Sequence, residues 1–245
     1  MKVLKVSGEG TFTSFRYPFF MQGVQPTFEM PPPATLYGHV ASALGEWFDP
    51  VGALFGVHFT FARQAEDIEH THILVPSTGK LPGSDLRKSM EGSANPFRRG
   101  VLFQPRLTLY LNHPEWAMFF KSPRYAVVLG RSQDLFTYTR EDEVELERSD
   151  HGYVEHTLAP HTLGRWAGRG IVVLMPRFLD YHHSRRPTFE KYLVFHARIH
   201  SRDFLQYTGE EPLGFWVDPT STEIDGDHLI VPMHSWVGTS GEAAL

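Results

Sequence analysis

Residues 14–45 read SFRYPFFMQGVQPTFEMPPPATLYGHVASALG, and the rest of the chain is best understood from this stretch. It begins at the end of a predicted strand, passes through an aromatic turn and crosses three consecutive prolines. Each proline fixes its own φ and pushes the residue before it into an extended conformation. Pro33 can nonetheless occupy a first helical turn, where its missing N–H would be unpaired anyway. The stretch therefore predicts a strand, a stiff lead-in and then a helix.

The predicted helix has two different faces. Apolar side chains recur at three- and four-residue steps on one face, at Leu36, Val40, Ala43, Leu44 and Trp47. Small residues recur at similar steps on another face, at Gly38, Ala41, Ser42 and Gly45. Two glycines within a helix cost roughly 1 kcal/mol each relative to alanine, so we expect something to approach this second face closely. Another stretch of protein backbone, a nucleic-acid backbone or a partner subunit would each fit.

A family resemblance rests on this stretch and on a second one downstream. The first comprises Phe15-Arg16, the aromatic turn, Gln25-Pro26-Thr27, PPPATLYG at residues 31–38 and Ala43-Leu44-Gly45. The second is VLGRS at residues 128–132, an apolar strand that ends in a Gly-Arg turn. In this order and spacing, they resemble the opening half of the Cas five family, the CRISPR-associated RAMP proteins of type I effector complexes.

That resemblance implies that the chain is a non-catalytic RNA-binding subunit of a type I CRISPR interference (Cascade) complex. Such a subunit binds and caps the 5′ handle of the crRNA in antiviral defence or RNA-guided DNA targeting. The expected partners are the crRNA handle, a backbone RAMP subunit and the large subunit. Contact with target DNA near the PAM, the complex subtype and the handle sequence are left open. No cofactor, metal or membrane contact is expected.

Alternation and periodicity along the chain predict an α+β fold. Strands at residues 4–13, 58–63, 106–112 and 125–129, with helices after Pro33 and at residues 114–120, follow the order of a ferredoxin-like (RRM-like) unit. Residues 76–100 are rich in Pro, Gly, Ser and Asn, and too long for an ordinary connection. In the resembled family, an extended hairpin called the thumb is inserted here, which implies a thumb at about 76–103. A disordered surface loop is the alternative.

The composition changes near residue 140, which we take as a domain boundary. Residues 1–140 would form the ferredoxin-like RAMP domain with its thumb insertion, and residues 141–245 a smaller β-rich C-terminal lobe. The lobe opens with the acidic run at residues 141–147 and has predicted strands at residues 170–180, 191–200, 215–218 and 228–236. Residues 238–245 are expected to be a loose tail.

Composition places the chain among ordinary globular proteins. Its 245 residues include 41% hydrophobic and 21% charged residues and no cysteine, with a formal net charge of −5. An acidic balance is unusual for a nucleic-acid binder, but the distribution of charge matters more than its sum. Between residues 80 and 106, six basic side chains stand against two acidic ones. No apolar run is long enough for a signal peptide or a membrane span, so the cytoplasm is the expected location.

The candidate RNA-binding residues combine arginine with aromatic rings or glycine, because bases stack on aromatic planes and phosphates pair with arginine. They are Phe15, Arg16, Tyr37, Gly38, Arg98, Arg99, Arg106, Gly130, Arg131 and Ser132. By the resemblance, the first helix and the Gly-Arg turn would cradle the handle, and the thumb would wedge between handle and spacer. Any one of these combinations of arginine and aromatic ring could equally be a core aromatic residue beside a solvated arginine.

The sequence signals for a catalytic or metal site are weaker than those for RNA binding. The 14 histidines lack the spacing of a helical zinc site, so scattered surface histidines are the better interpretation. One branch of the resembled family cleaves precursor RNA with a tyrosine from the first helix and a Lys-His pair. Tyr37 could supply the tyrosine, but no Lys-His dipeptide occurs. A metal-independent endoribonuclease that processes pre-crRNA is therefore the alternative function, and an unrelated β-rich enzyme is the third.

Overall fold

The helices and strands are taken from a computed structural model, which describes residues 1–20, 23–205 and 213–238. The strands are β1 (Lys2–Gly10), β2 (Phe12–Thr13), β3 (Val24–Gln25), β4 (Leu54–Thr60), β5 (Arg63–Pro76), β6 (Met90–Phe103), β7 (Arg106–Leu111), β8 (Phe136–Glu145), β9 (Glu147–Ser149), β10 (Tyr153–Val154), β11 (Thr157–Pro160), β12 (Ile171–Asp180), β13 (Arg186–Phe195), β14 (Ile199–His200), β15 (Phe215–Asp218), β16 (Leu229–Ile230) and β17 (His234–Ser235). The α-helices are α1 (Pro33–Leu44), α2 (Ala117–Lys121) and α3 (Gly164–Ala167). None of these helices is long and apolar enough to cross a membrane. The predicted tail lies outside the described residues from 239 onward.

The first part of the chain forms a ferredoxin-like unit. Its elements follow in the order β1, α1, β4, β7, α2 and β8. The strands lie side by side as β8-β1-β7-β4, and each neighbouring pair is antiparallel. Leu109 of β7 stands between Val6 of β1 and Val57 of β4, so apolar side chains of three strands line one face. The predicted α+β class is confirmed.

Helix α1 covers this apolar face. The backbone N–H groups of Thr35 and Leu36 donate to the carbonyl of Pro32, which starts the helix at the last proline. The helix ends at Gly45, whose φ of 88° lies in the left-handed region that glycine tolerates best. Gly45 therefore ends the helix, and Arg124 packs against it, with its Cγ 2.5 Å from where an added Cβ would lie. The buried side chains that join helix to sheet include Leu36, Val40, Ala43, Leu4, Val6 and Leu111.

The fourth strand of the unit is not where the sequence predicted it. Residues 125–129 form no strand, and Val128 makes an isolated bridge with Leu135. The fourth strand is β8, which occupies the edge of the sheet and carries most of the acidic run. Charged side chains are typical of an edge strand because they discourage pairing with another chain. Most of the run assigned to the C-terminal lobe thus belongs to the first unit.

The thumb is an ordered hairpin of residues 63–103. Strands β5 and β6 pair antiparallel from Arg63↔Phe103 to Pro76↔Met90. The predicted insertion at 76–103 covers its turn and second strand, but the hairpin begins at Arg63. At its base, β6 also pairs with β2 and, in parallel, with β3. The alternative of a disordered loop is wrong for this segment.

Strands from the second half of the chain join two sheets. Strands β12, β13 and β11 extend the first sheet beyond β4, and β17 pairs with β4 as well. The order β14-β10-β16-β15-β9 makes a second, five-stranded sheet. The predicted boundary near residue 140 falls within β8. The division into domains 1–140 and 141–245 stays a prediction.

Candidate nucleic-acid interface

An open groove runs beside the first turns of α1, and we call it the α1 groove. Its volume is about 460 Å³. Arg16, Gly38 and Gly130, three of the predicted RNA-binding residues, line it together. The β12–β13 hairpin contributes Tyr181 and Arg185 to the same groove. Four distant parts of the chain therefore meet at one surface.

The α1 groove is electropositive. Arg16 and Arg185 are both exposed, and none of the described residues that line the groove carries a carboxylate. The guanidinium of Arg185 lies 5.3 Å from the ring centroid of Tyr181, so the charge is held against an aromatic face. Sequence reasoning missed Arg185. The available signal was the pair Arg185-Arg186 at a turn between two predicted strands.

Gly38 keeps the floor of the α1 groove open. Outside its own helix, the nearest atom to an added Cβ would be the hydroxyl oxygen of Tyr181, at 4.0 Å. No packing among the described residues therefore requires glycine here, although glycine in a helix interior costs about 1 kcal/mol relative to alanine. The bare backbone leaves room for a ligand to approach the helix.

His39 ties α1 to the loop before Gly130. Its Nδ1 lies 2.8 Å from the Val128 carbonyl oxygen, and its Nε2 lies 3.0 Å from the Tyr138 hydroxyl. Burial lowers the pKa of His39 to about 4, although the bond to Val128 acts in the opposite direction. The ring is neutral at neutral pH, so Nδ1–H donates to the carbonyl and Nε2 accepts from Tyr138. His39 thus positions the groove without adding charge to it.

The histidines are not all at the surface. The prediction of scattered surface histidines is wrong for His39 and His234, which are both buried. Burial also lowers the pKa of His234 to about 4, and its Nε2 lies 3.1 Å from the Leu158 carbonyl oxygen. Within residues 1–20, 23–205 and 213–238, no three or more His, Asp or Glu side chains are grouped to hold a metal ion.

Contacts within the protein account for the Gly-Arg turn. Gly130 has a φ of 98°, and an added Cβ would lie 2.6 Å from Thr13 Oγ1 and 2.8 Å from the Ser14 carbonyl oxygen. The Arg131 guanidinium donates to the Asp134 carboxylate, with Nη2 2.7 Å from Oδ1. Hydrogen bonding to Asp134 raises the pKa of Arg131. The guanidinium that was predicted to hold RNA is therefore already engaged by Asp134.

We expect Gly130→Ala to lower the free energy of unfolding by roughly 2 kcal/mol, because alanine is strained at this φ and its Cβ would collide with backbone. Urea unfolding followed by tryptophan fluorescence measures the loss. Gly52→Ala is the matched control, because Gly52 has a φ of 77° but no atom of the described part of the chain within 4 Å of an added Cβ. Equal losses in the two variants would contradict the close approach of Ser14 to the turn.

Phe15 and Tyr37 lie in the core, 2% and 3% exposed. The ring of Phe15 meets Phe59 edge-on, with centroids 5.5 Å apart. The Tyr37 hydroxyl donates to the Phe48 carbonyl oxygen at 2.5 Å, and burial is the main cause that raises the pKa of Tyr37 to about 12. Both side chains are thus engaged within the core rather than at the surface, where the predicted RNA contacts would form.

The other predicted arginines lie outside the lining of the α1 groove and face acidic partners. Ion pairs across strands join Arg98 to Glu66, Arg99 to Glu69 and Arg106 to Glu9. The pairs of Arg98 and Arg106 are exposed, whereas Arg99 is buried. Ser132 is exposed, and its Oγ lies 3.4 Å from Gln133 Oε1. The basic excess of the thumb region is thus largely balanced by acids from β5 and β1.

Comparisons with known proteins give matches in structure alone. No protein-family model matches the sequence, and a search of curated proteins finds no significant match. The fold is similar to a chain of a "CRISPR RNA-guided surveillance complex", at a TM-score of 0.50 and 16% identity over 82% of this chain and 92% of that one. A CRISPR protein from Archaeoglobus fulgidus matches at a TM-score of 0.45 and 11% identity, over 94% and 98% of the two chains. A chain of the type III-B Cmr-beta complex bound to cognate target RNA matches at 0.46 and 10%, over 82% and 86%. The first match, at a TM-score of 0.50 and 16% identity, shows a shared fold.

Proposed function

We propose that the protein is a non-catalytic RNA-binding subunit of a type I CRISPR interference (Cascade) complex and a member of the Cas five family. It binds and caps the 5′ handle of the crRNA. Its protein neighbours in the complex are a backbone RAMP subunit and the large subunit.

The observation that carries this proposal is the chemistry of the α1 groove. Exposed Arg16 and Arg185 offer planar cations that suit phosphate oxygens. The bare helix backbone at Gly38 allows a sugar-phosphate chain to lie close. Phe189, which lines the groove and stacks on Phe19 with centroids 5.6 Å apart, offers an aromatic ring for a base. Cations beside aromatic planes in an open groove are typical of single-stranded RNA sites.

The fold and the motif support the more specific assignment. The chain shares its fold with a protein of an RNA-guided surveillance complex. The PPPATLYG motif builds the start of α1 and hence the floor of the groove. Residues of the motif that carries the resemblance therefore also line the groove.

The non-catalytic assignment has its own support. The endoribonuclease alternative would use Tyr37, whose hydroxyl is bonded to a backbone carbonyl within the core. It also needs a Lys-His pair that the sequence lacks. Binding without cleavage therefore fits the groove better.

We expect Arg16→Ala and Arg185→Ala each to weaken RNA binding by about 10- to 150-fold, because a charge-assisted hydrogen bond contributes roughly 1.5–3 kcal/mol. Each loss should also flatten the dependence of affinity on salt, by about 0.7 in slope per lost single-strand phosphate contact. The measurement is fluorescence anisotropy with the RNA that co-purifies when the chain is expressed with its genomic neighbours.

Arg140→Ala is the matched control, because Arg140 is exposed on β8 and pairs with Asp142 away from the groove. Its RNA affinity should equal that of the parent protein. The proposal fails if no discrete RNA co-purifies, or if the two groove variants bind RNA as the control does. Shortening of the RNA by the purified protein without metal would favour the endoribonuclease instead.

A further inference from the structure

A second cavity, of about 370 Å³, shares Gly38 and Ser42 with the α1 groove. Its walls include Trp47 and Tyr125, which are 51% and 58% exposed, and Glu46 stands at its rim. We call it the Trp47 cavity. Because Gly38 and Ser42 line both spaces, the groove and the cavity form one continuous surface along α1.

Trp47 packs against a neighbouring ring although half of it is exposed. Its ring stacks on Tyr181, with centroids 3.6 Å apart and planes inclined by 25°. Tyr181 in turn carries the guanidinium of Arg185 from the α1 groove. An aromatic ring that is already ordered loses little conformational entropy when a flat ligand stacks on it. The stack from Arg185 to Trp47 thus connects the electropositive groove to the cavity.

We propose that the Trp47 cavity binds a nucleobase of the RNA strand that occupies the α1 groove. This rests on the proposed function, because the strand reaches the cavity by passing over Gly38 and Ser42. The base lies against the exposed surface of Trp47, and the short side chains of α1 give it space. The Glu46 carboxylate accepts a hydrogen bond from an exocyclic amino group, which favours adenine, cytosine or guanine over uracil.

The chemistry of the cavity favours a base over an apolar protein side chain. Two aromatic rings, a carboxylate and the Ser42 hydroxyl provide stacking surface together with hydrogen-bonding partners for a flat polar ring. Arg124 lies beside the cavity, with its guanidinium carbon 6.0 Å from the Tyr125 ring centroid. Its charge suits the phosphate that follows the bound base.

The test measures the RNA affinity of Trp47→Ala and of the parent protein. Each protein is assayed with the co-purified RNA and with a resynthesised series of that RNA, in which one abasic nucleotide is placed at each position in turn. Trp47→Ala should bind the intact RNA about 5- to 150-fold more weakly, the range for loss of one stacked base. In the parent, an abasic nucleotide at one position should cause a comparable loss, and that loss should vanish in Trp47→Ala. Trp47→Phe should retain most of the affinity, since it keeps a ring.

Val51→Ala is the matched control, because Val51 is an exposed apolar residue close in sequence but outside the cavity lining. The inference is overturned if Trp47→Ala binds RNA like the parent, or if no abasic position couples to Trp47. It is also overturned if Trp47→Ala keeps its RNA affinity but loses a protein subunit from the complex. In those cases, a loss of affinity in Arg16→Ala and Arg185→Ala still supports the proposed function, so the two failures are distinguishable.

Discussion

Replacing Asp218 with alanine is expected to lower the free energy of unfolding by about 3–5 kcal/mol, because it removes one partner of a buried ion pair. The Asp218 side chain is fully buried, with Oδ2 2.6 Å from Lys5 Nζ and 2.8 Å from the Tyr110 hydroxyl. Its Oδ1 accepts from the backbone N–H and the hydroxyl of Thr220. Lys5 and Tyr110 belong to the first sheet and Asp218 to the second, so the variant loses a link between the sheets. Urea unfolding measures the effect.

The contribution of Asp218 should also depend on pH. Burial acts to raise the pKa of its carboxyl, but hydrogen bonds from Lys5 and Thr220 outweigh it, and the net pKa lies below the usual 3.8. Unfolded Asp218 thus takes up a proton at a higher pH than folded Asp218. Its stabilisation is complete above about pH 4 and declines as the pH falls through the lowered folded value.

Asp218→Asn separates charge from shape. It should lose less stability than Asp218→Ala at neutral pH, because the amide still fills the site and its oxygen still accepts. Below about pH 4, the gap in stability between the parent and Asp218→Asn should narrow. A gap that stays constant down to the lowest pH at which the parent folds would show that the Asp218 charge does not stabilise the fold.

Trp236→Ala should cost a similar 3–5 kcal/mol, the range for removal of a fully buried large aromatic side chain. Trp236 is 0% exposed and packs against Tyr37, Phe48 and Phe55, with its centroid 4.5 Å from that of Phe55. Its Nε1–H donates to the carbonyl of Pro33 at 2.8 Å. The C-terminal end of the described chain therefore supports the first turn of α1.

Trp236→Phe is the informative comparison. It keeps a ring in the cluster but loses the hydrogen bond to the Pro33 carbonyl, a net contribution of about 0.5–1.5 kcal/mol. Urea unfolding should rank the stabilities as parent, Trp236→Phe and then Trp236→Ala. Because Pro33 begins the helix that floors the α1 groove, RNA affinity should fall in the same order. Unchanged RNA affinity in a folded Trp236→Ala would mean that the groove does not depend on this support.

Part of the fold was readable from local pattern. The alternation of Leu4 and Val6 with polar residues predicted β1, and the prolines followed by a three- and four-residue apolar period predicted α1. The fourth strand was misassigned because residues 125–129 are mostly apolar, whereas four of the ten residues of β8 are acidic. The alternation of Val144 and Leu146 with glutamates was the available signal for β8, since an edge strand exposes one face.

The residues of the candidate site were likewise only partly predicted from the sequence. Arg16 and Gly38 were named from the sequence because both belong to the stretch that carries the family resemblance, and they line the groove. Arg185 was not named from the sequence, because no residue near it indicates that the β12–β13 turn faces α1. Arg131 was named from the sequence but pairs with Asp134 in the structure. Asp134 lies only three residues away, but the turn geometry is what brings the two groups together.

Local elements could be predicted from the residue pattern, because steric restriction by proline and the period of apolar side chains act over a few residues. The pattern predicted β1, the start of α1 and the α+β class. Which charged side chains meet acidic partners is set by the tertiary structure. The thumb arginines Arg98 and Arg99 face Glu66 and Glu69 because β5 and β6 pair in one register. Electrostatic free energy depends on distance and burial, and both are set by long-range pairing rather than by position in the chain.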